Sequence, residues 1–329
     1  DLHSFPTRRS SDLHIVRYEH ALLAGAPELW RYGLHLRDEV EAQIVELAQR
    51  IDPARPWQDV VARIRDEGAP DPTAVLAVYR DLIEDARAFC ERRGLANLPD
   101  APLIVEPTPG FLRAVTPFAE YQPAPVYRPG EAARVFVTAP PRTAPRAPLE
   151  LAQHALPQLR SRVVHESWPG HHLQSAVAQV LSREVRRHVM SQLSTEGWAQ
   201  YAEDVADEEG FYRDDAVRLL RLVSLLWRAV RIDIDIGLHT RGLSPREAVD
   251  ELVTRAGLHR GSAEADVARC CLRPTYQLCG AVGRRELLQL RADLRARDGS
   301  AFSSRQFHDA VLSFGGLPVP LIRWGLGLE

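Results

Sequence analysis

Apolar positions recur at helical spacing along most of this chain. Over residues 15–51 a stripe runs through Leu34, Leu36, Val40, Ile44 and Leu47, the spacing of one buried helix face. The stretch "DPARPW" ends it, because proline has no N–H to continue the ladder. Two more helical segments are predicted over 57–67 and 72–93, the second opened by "DPT", an N-cap-like start with an early proline. Residues 94–147 break the pattern. They are dense in proline and carry two short extended runs, "LIVEP" (103–107) and "ARVFVT" (133–138). The alternation in the second predicts an edge strand. A long proline-rich crossing that is not low in complexity is expected to form a packed functional wall rather than a linker. From residue 149 the chain reads as nearly all helix: 149–182 with interruptions near Pro157 and Pro169, then 184–209, 211–241, 245–256, 262–279, 281–295, 304–314 and 318–326. The predicted class is mainly α with a small β-ribbon, and no internal repeat is evident.

Composition narrows the function classes. The chain has 329 residues, 45% hydrophobic and 26% charged, enough for a substantial core. The net charge of −3 gives no polyanion-binding footprint, so nucleic acid is not an expected partner. Every basic residue is arginine, which reads as codon bias. No apolar run reaches the roughly 18–20 residues of a membrane span. Four cysteines, Cys90, Cys270, Cys271 and Cys279, form no CxxC pair and read as reduced, mostly buried thiols. The opening "DLHSFPTRRSSDL" reads codon by codon as a translated short-read sequencing adapter, so 1–13 are set aside as non-native. The only methionine is Met190. The natural sequence is therefore expected to begin near His14, as the C-terminal part of a longer protein, with 14–329 forming one catalytic domain. Location stays open, with the cytoplasm favoured.

The chemistry concentrates in "VVHESWPGHHLQ" (163–174). Zinc proteases often place two histidines at i and i+4 on one helix face, with a glutamate beside the first as general base. His165 and Glu166 fit that pattern, but position 169 is Pro169 and the next histidines are His171 and His172. On an ideal helix i+6 lies about 240° round from i, and i+7 sits about 10 Å up the axis, too far to share an ion. Pro169 cannot donate to the His165 carbonyl, and Gly170 tolerates unusual backbone angles. Two residues looped out at Ser167–Gly170 would bring His171 to the i+4 place. A third ligand is expected from "STEGWAQYAED" (194–204), which offers Glu196, Glu203 and Asp204. Glu196 lies one helical return away, with Gly197 beside it for close helix approach. Tyr201 and Glu203 can then orient the ligands.

"HESWPGHHLQ" followed by "STEGWAQYAED" resembles the DUF885 family of bacterial proteins, placed among gluzincin-like metallopeptidases. The resemblance extends over nearly all of 14–329, through "TPGFLRAVTPFAEYQPAPVY", "DIGLH" (235–239), "RPTYQL" and the closing "FHDAVLSFGGLPVPLI". It implies a multi-helix, gluzincin-like catalytic domain in which His165, His171 and Glu196 bind Zn2+ and Glu166 is the general base. In such enzymes the second histidine follows a glycine, which favours His171 over His172. Many members carry a tyrosine where this chain has Gly280, so Tyr276 or His239 is the candidate substitute that polarises the substrate carbonyl. The expected reaction is hydrolysis of a peptide, or of a small amide, by a metal-activated water. The bland assignments elsewhere are structural: Arg228 and Arg231 with Asp233 as a salt-bridged helix face, Asp235 and His239 as a helical pair, Arg269 as an ion-pair partner, and Trp198 as core.

Overall fold

The computed structural model describes residues 14–328 apart from 114, 115, 117, 129 and 141–146. The segment 1–13, set aside above, lies outside the described residues. The chain is mainly α, with one three-stranded sheet.

The first helix is shorter than its apolar stripe suggests. Ile15–Glu19 form one π-helical turn, and helix α1 begins at Ala26 and runs to Ile51. Pro27 explains the start, since its missing N–H is harmless only in the first turn. Leu29, Leu36, Val40, Ile44 and Leu47 are its buried face. Helices α2 (Trp57–Glu67) and α3 (Val75–Arg93) follow, and α3 stops at Gly94, whose φ of 61° is the left-handed cap that glycine permits.

Strands β1 (Leu103–Pro107), β2 (Ala119–Gln122) and β3 (Ala133–Val137) order as β1-β3-β2. The pattern in "ARVFV" therefore marks the central strand, not an edge. Val135 pairs with Val105 in parallel on one side and with Tyr121 in antiparallel on the other. The alternation was misleading because the sheet is covered on one face and β2, with its polar "AEYQ", carries little apolar signal of its own.

Eleven further α-helices, with a π-helical turn at Gly237–Arg241 and a 3-10 turn at Gly299–Ala301, complete the described chain: α4 (Ala147–Ala152), α5 (Leu156–Glu166), α6 (His171–Gln179), α7 (Glu184–His188), α8 (Gln192–Glu208), α9 (Asp215–Ile236), α10 (Pro245–Ala256), α11 (Arg260–Leu272), α12 (Cys279–Asp298), α13 (Ser304–Leu312) and α14 (Val319–Gly325). Their starts follow local chemistry. The Asp214 side chain accepts from Val217 N at the head of α9, and Ser244 and Glu247 form a reciprocal capping box at the head of α10. The predicted helix 262–279 ends instead at Leu272. Pro274 disfavours helix in the residue before it, and Thr275 adopts a φ of 68°.

Two apolar clusters make up the core. One gathers α1, α2, α9, α10 and α11; the other gathers α3, the sheet, α5, α6, α8 and α13. Helices α8, α9 and α12 contribute to both. Close crossings tie them together. A Cβ on Gly283 of α12 would lie 2.1 Å from the Leu193 carbonyl oxygen of α8, and one on Gly197 would lie 2.6 Å from Gly283. Gly197 thus serves approach to α12, not to the histidine helices.

Candidate metal centre

The centre is assembled where α5 stops and α6 restarts. Helix α5 ends at Glu166, and α6 begins at His171 after a cis Trp168–Pro169 peptide bond. The interruption falls where Pro169 implies, though as a full break between two helices rather than a bulge within one. Gly170 is required by space: a Cβ there would sit 2.0 Å from the His165 carbonyl oxygen and 2.3 Å from that of Val164. The Gly170 N–H donates to Val164 O at 3.0 Å, and the buried Trp198 indole donates to Pro169 O at 2.8 Å, fastening the turn to α8. Trp198 is therefore core, and its one polar atom holds the turn.

This break sets the His165 and His171 rings 4.8 Å apart, edge to face. Helix α8 adds Glu196. Ligand-capable atoms of His165, His171 and Glu196 all lie within 4.8 Å of one another. His172 points elsewhere. Its Nε2 lies 3.2 Å from the Ala101 carbonyl, its Nδ1 3.3 Å from the Tyr121 hydroxyl, and Trp168 meets its ring edge-on.

The surroundings select atoms. His165 and Ser161 lie one turn apart on α5 and both reach the buried Glu203 carboxylate: His165 Nδ1 donates to Oε1 at 2.9 Å and Ser161 Oγ to Oε2 at 2.9 Å. His165 Nε2 is thereby left for the cluster, 3.9 Å from Glu196 Oε2. Tyr276 donates to the other oxygen, Glu196 Oε1, at 3.0 Å. The break before α12 is what delivers it: Thr275 N–H donates to Asp235 at 3.0 Å, fixing the turn so that the next side chain meets α8. Of the two residues offered for the Gly280 position, Tyr276 is thus in the site. His239 is not brought into the cluster; its Nε2 lies 3.1 Å from the Cys270 carbonyl at the far end of α9. Gly280 itself faces Arg228 and Glu196, where a Cβ would be in ordinary contact at 3.7 and 3.9 Å.

Electrostatics fit a metal and a base. Burial, followed by the charge of His165, lowers the His171 pKa to about 4, so the ring is neutral, as ligation requires. Burial opposes ionisation of Glu196, but His171, His165 and Arg228 outweigh it and hold the carboxyl below its ordinary value. Burial likewise opposes ionisation of Glu203, but its hydrogen bond from His165 and the charge of Arg228 outweigh it and hold the carboxyl below its ordinary value. Glu166 goes the other way. Burial and the nearby Glu196 raise it, although the Tyr121 N–H donates to its Oε2 at 3.0 Å. Two imidazoles and one carboxylate are a donor set suited to Zn2+. His171 Nδ1 is buried without a hydrogen-bond partner among the described residues, and no protein group competes with an ion for either ring nitrogen of His171 there. The residues therefore fit the ion.

Other assignments shift. Tyr201 does not orient the cluster; its hydroxyl pairs with His308 Nε2 at 2.8 Å and with Arg291. Arg231 grips Asp266, Asp233 pairs with Arg37, and Arg269 also bonds Asp266, so Arg269 is structural. Arg228, Ser161 and Tyr121 belong to the site and were not singled out for it. The i,i+4 step from Ser161 to His165 was a readable signal; the placements of Arg228 and Tyr121 depend on long-range packing.

Comparison with known proteins adds family and fold. The family model described as a bacterial protein of unknown function (DUF885) matches residues 14–325. No curated protein matches the chain. Among solved structures, a candidate lipoprotein from Colwellia psychrerythraea is similar with a TM-score of 0.89 and 21% identity, covering 98% of this chain and 55% of that one. A candidate lipoprotein of unknown function from Shewanella oneidensis is similar with a TM-score of 0.86 and 20% identity, covering 99% of this chain and 61% of that one. The chain thus spans somewhat over half the length of these two structures, and the likeness is one of fold.

Proposed function

This chain belongs to the DUF885 family of bacterial proteins of unknown function, and from its site we propose that it is a zinc-dependent peptidase of the gluzincin kind. The observation that carries the reading is the convergence of His165, His171 and Glu196 within 4.8 Å beside the half-buried Glu166, whose pKa is raised. In this reading the three residues hold Zn2+, His165 through Nε2 because Glu203 takes its Nδ1–H. When bound, zinc polarises a carbonyl and makes water more acidic. Glu166 is the general base. Its raised proton affinity suits it to take a proton from the attacking water and return it to the departing amine. Tyr276, parked on Glu196 at 3.0 Å, is the nearby phenol that can donate to negative charge developing on the substrate oxygen.

Substrate placement follows from the sheet. Because β3 is paired on both sides, it cannot take an extended peptide. The outer strands are β1 and β2, and it is at β2 that the Tyr121 N–H points at Glu166 instead of at β3. A peptide added along that edge would run past the base, using main-chain hydrogen bonds that any sequence can make.

The test is to purify the chain, measure bound zinc and assay a mixed peptide library against Glu166→Gln. The expected result is about one zinc per chain in both proteins and a loss of cleavage on the order of 10²–10⁴-fold in the variant. Cleavage unaffected by Glu166→Gln would overturn the mechanism. Hydrolysis of small amides or esters without peptide cleavage would move the reading to another metal-dependent hydrolase, and zinc binding without turnover would make the chain a metal-binding scaffold.

A further inference from the structure

Four arginines of α9 differ in one respect. Arg218 donates to Asp207 at 3.0 Å, Arg221 to Asp204 at 3.0 Å and Asp207 at 2.9 Å, and Arg231 to Asp266 at 2.8 and 2.6 Å. Each has a carboxylate in hydrogen-bond contact. Arg228 has none. Its Nη1 is spent on the Ser224 carbonyl and hydroxyl one turn back, and its nearest carboxylate oxygen, Glu203 Oε1, is 3.8 Å from Nη2. Among the described residues nothing hydrogen-bonds to its Nε or Nη2. The side chain is only 14% exposed, so the cation is costly to leave unmatched.

The uncommitted edge faces the candidate centre. Gly280 lies against it, with the position of a Cβ 3.7 Å from Arg228 Cδ, 3.8 Å from Nε and 3.9 Å from Glu196 Cβ. A Cβ there would be in ordinary contact only, so Gly280 leaves the Nε side of the guanidinium uncrowded, and Glu196 beside it is 23% exposed. A guanidinium presents Nε and Nη2 as a fork that matches a carboxylate with two parallel hydrogen bonds. Glu203 does not supply it, since its nearest oxygen, Oε1, is 3.8 Å from Nη2, beyond hydrogen-bond distance, and no bond from Glu203 reaches Nε.

We infer that Arg228, beside Gly280 and Glu196, is a substrate-recognition residue that binds the free α-carboxylate of a short peptide. The protein is then an exopeptidase that reads the C-terminal end of its substrate. This rests on the peptidase reading above and narrows its substrate class.

Binding and turnover test it separately. In zinc-loaded Glu166→Gln protein, acetyl-dialanine carries the free carboxylate and acetyl-dialanine carboxamide lacks it. Calorimetry is expected to give at least about tenfold tighter binding of the acid. In the Glu166→Gln, Arg228→Met double variant that ratio is expected to fall to near one at unchanged zinc content, and Arg228→Lys should restore part of it through charge without the fork. A preference for the acid that survives Arg228→Met would place the carboxylate on the metal and overturn the inference. So would equal binding of acid and amide before the substitution. An amidated peptide ending in glutamate that binds as well as the acid would assign the subsite to an acidic side chain and overturn the terminal assignment. With Glu166 intact, hydrolysis of free-acid over amidated peptides should follow the same ratio. Absence of all turnover with the binding ratio intact would defeat the peptidase reading and leave the carboxylate site standing.

Discussion

Glu203 decides which nitrogen of His165 faces the cluster. Its Oε1 accepts the Nδ1–H at 2.9 Å, so Nε2 is the free atom, and the anionic partner makes the ring a better donor to a cation. Glu203→Gln keeps the size but removes the charge, and it leaves Arg228 without its nearest anion. Zinc affinity is expected to drop roughly 10–100-fold, read by competition with a chromophoric chelator. Unchanged affinity would separate Glu203 from the site. Tyr276 invites a different readout. It touches only one oxygen of Glu196, so Tyr276→Phe is expected to bind zinc as before and to lower kcat by about 10-fold or more with little change in KM, the mark of a bond made mainly in the transition state. The same substitution at constant kcat would leave Tyr276 a support for Glu196 alone.

Helix crossings transmit these residue positions. Helix α8 can hold Glu196 opposite His165 only while it lies against α12, and Gly283 makes that contact with no room for a methyl group. Gly283→Ala is expected to destabilise the fold by about 1–3 kcal/mol and to weaken zinc binding, seen as a lower denaturation midpoint and a shifted metal titration. A stable variant with wild-type metal affinity would show that the α8–α12 spacing is not what positions Glu196. A second crossing, α1 on α9, carries a pH signature. Asp233 is half-buried there against Gly33, and desolvation raises its pKa to about 7 from an ordinary 3.8, although Arg37 Nη1 is 3.3 Å away. Arg37 is shared with Asp38, and Glu251 adds like charge while Arg255 offsets part of it. The folded state therefore keeps a proton that the unfolded chain releases between about pH 4 and 7. Stability from this group is present at low pH and is lost as pH rises through 7. Asp233→Asn should flatten that slope and be more stable than the parent at pH 8, on the order of a few kcal/mol at most, in denaturant titrations at pH 5 and 8. Parallel stability curves for the two proteins would remove Asp233 as the cause.

Across the whole molecule, what the sequence discloses is what local chemistry controls. The helix break at Pro169, the caps at Asp214 and Ser244, and the gathering of His165, His171 and Glu196 all rest on residues close in sequence or on one helical return. The central place of β3 rests on pairing with strands 14 and 30 residues away in register, Tyr121 and Val105, and no alternation within "ARVFV" records it. Arg228 is similar: its neighbours Glu203 and Gly280 come from two other helices, so nothing in α9 distinguishes it from Arg231. This division has a thermodynamic consequence. The three candidate ligands lie on α5, α6 and α8, and α8 is packed on α12, so one ion would add a further link between elements that meet through apolar contacts, the Glu203 bonds to His165 and Ser161, the Gln174 bond to Ser194 and the Trp198 bond. An ion bound only by the folded chain adds stability that grows with its concentration, about 2.7 kcal/mol at a hundredfold excess over Kd. Zinc should therefore raise the melting temperature by several degrees over the chelator-treated protein, and the rise should climb with the logarithm of free zinc. In Glu196→Gln, which keeps the fold contacts but loses one anionic ligand, the gain is expected to shrink or vanish. A melting temperature indifferent to zinc in the parent, or an equal gain in both proteins, would place any bound ion outside the His165, His171 and Glu196 cluster.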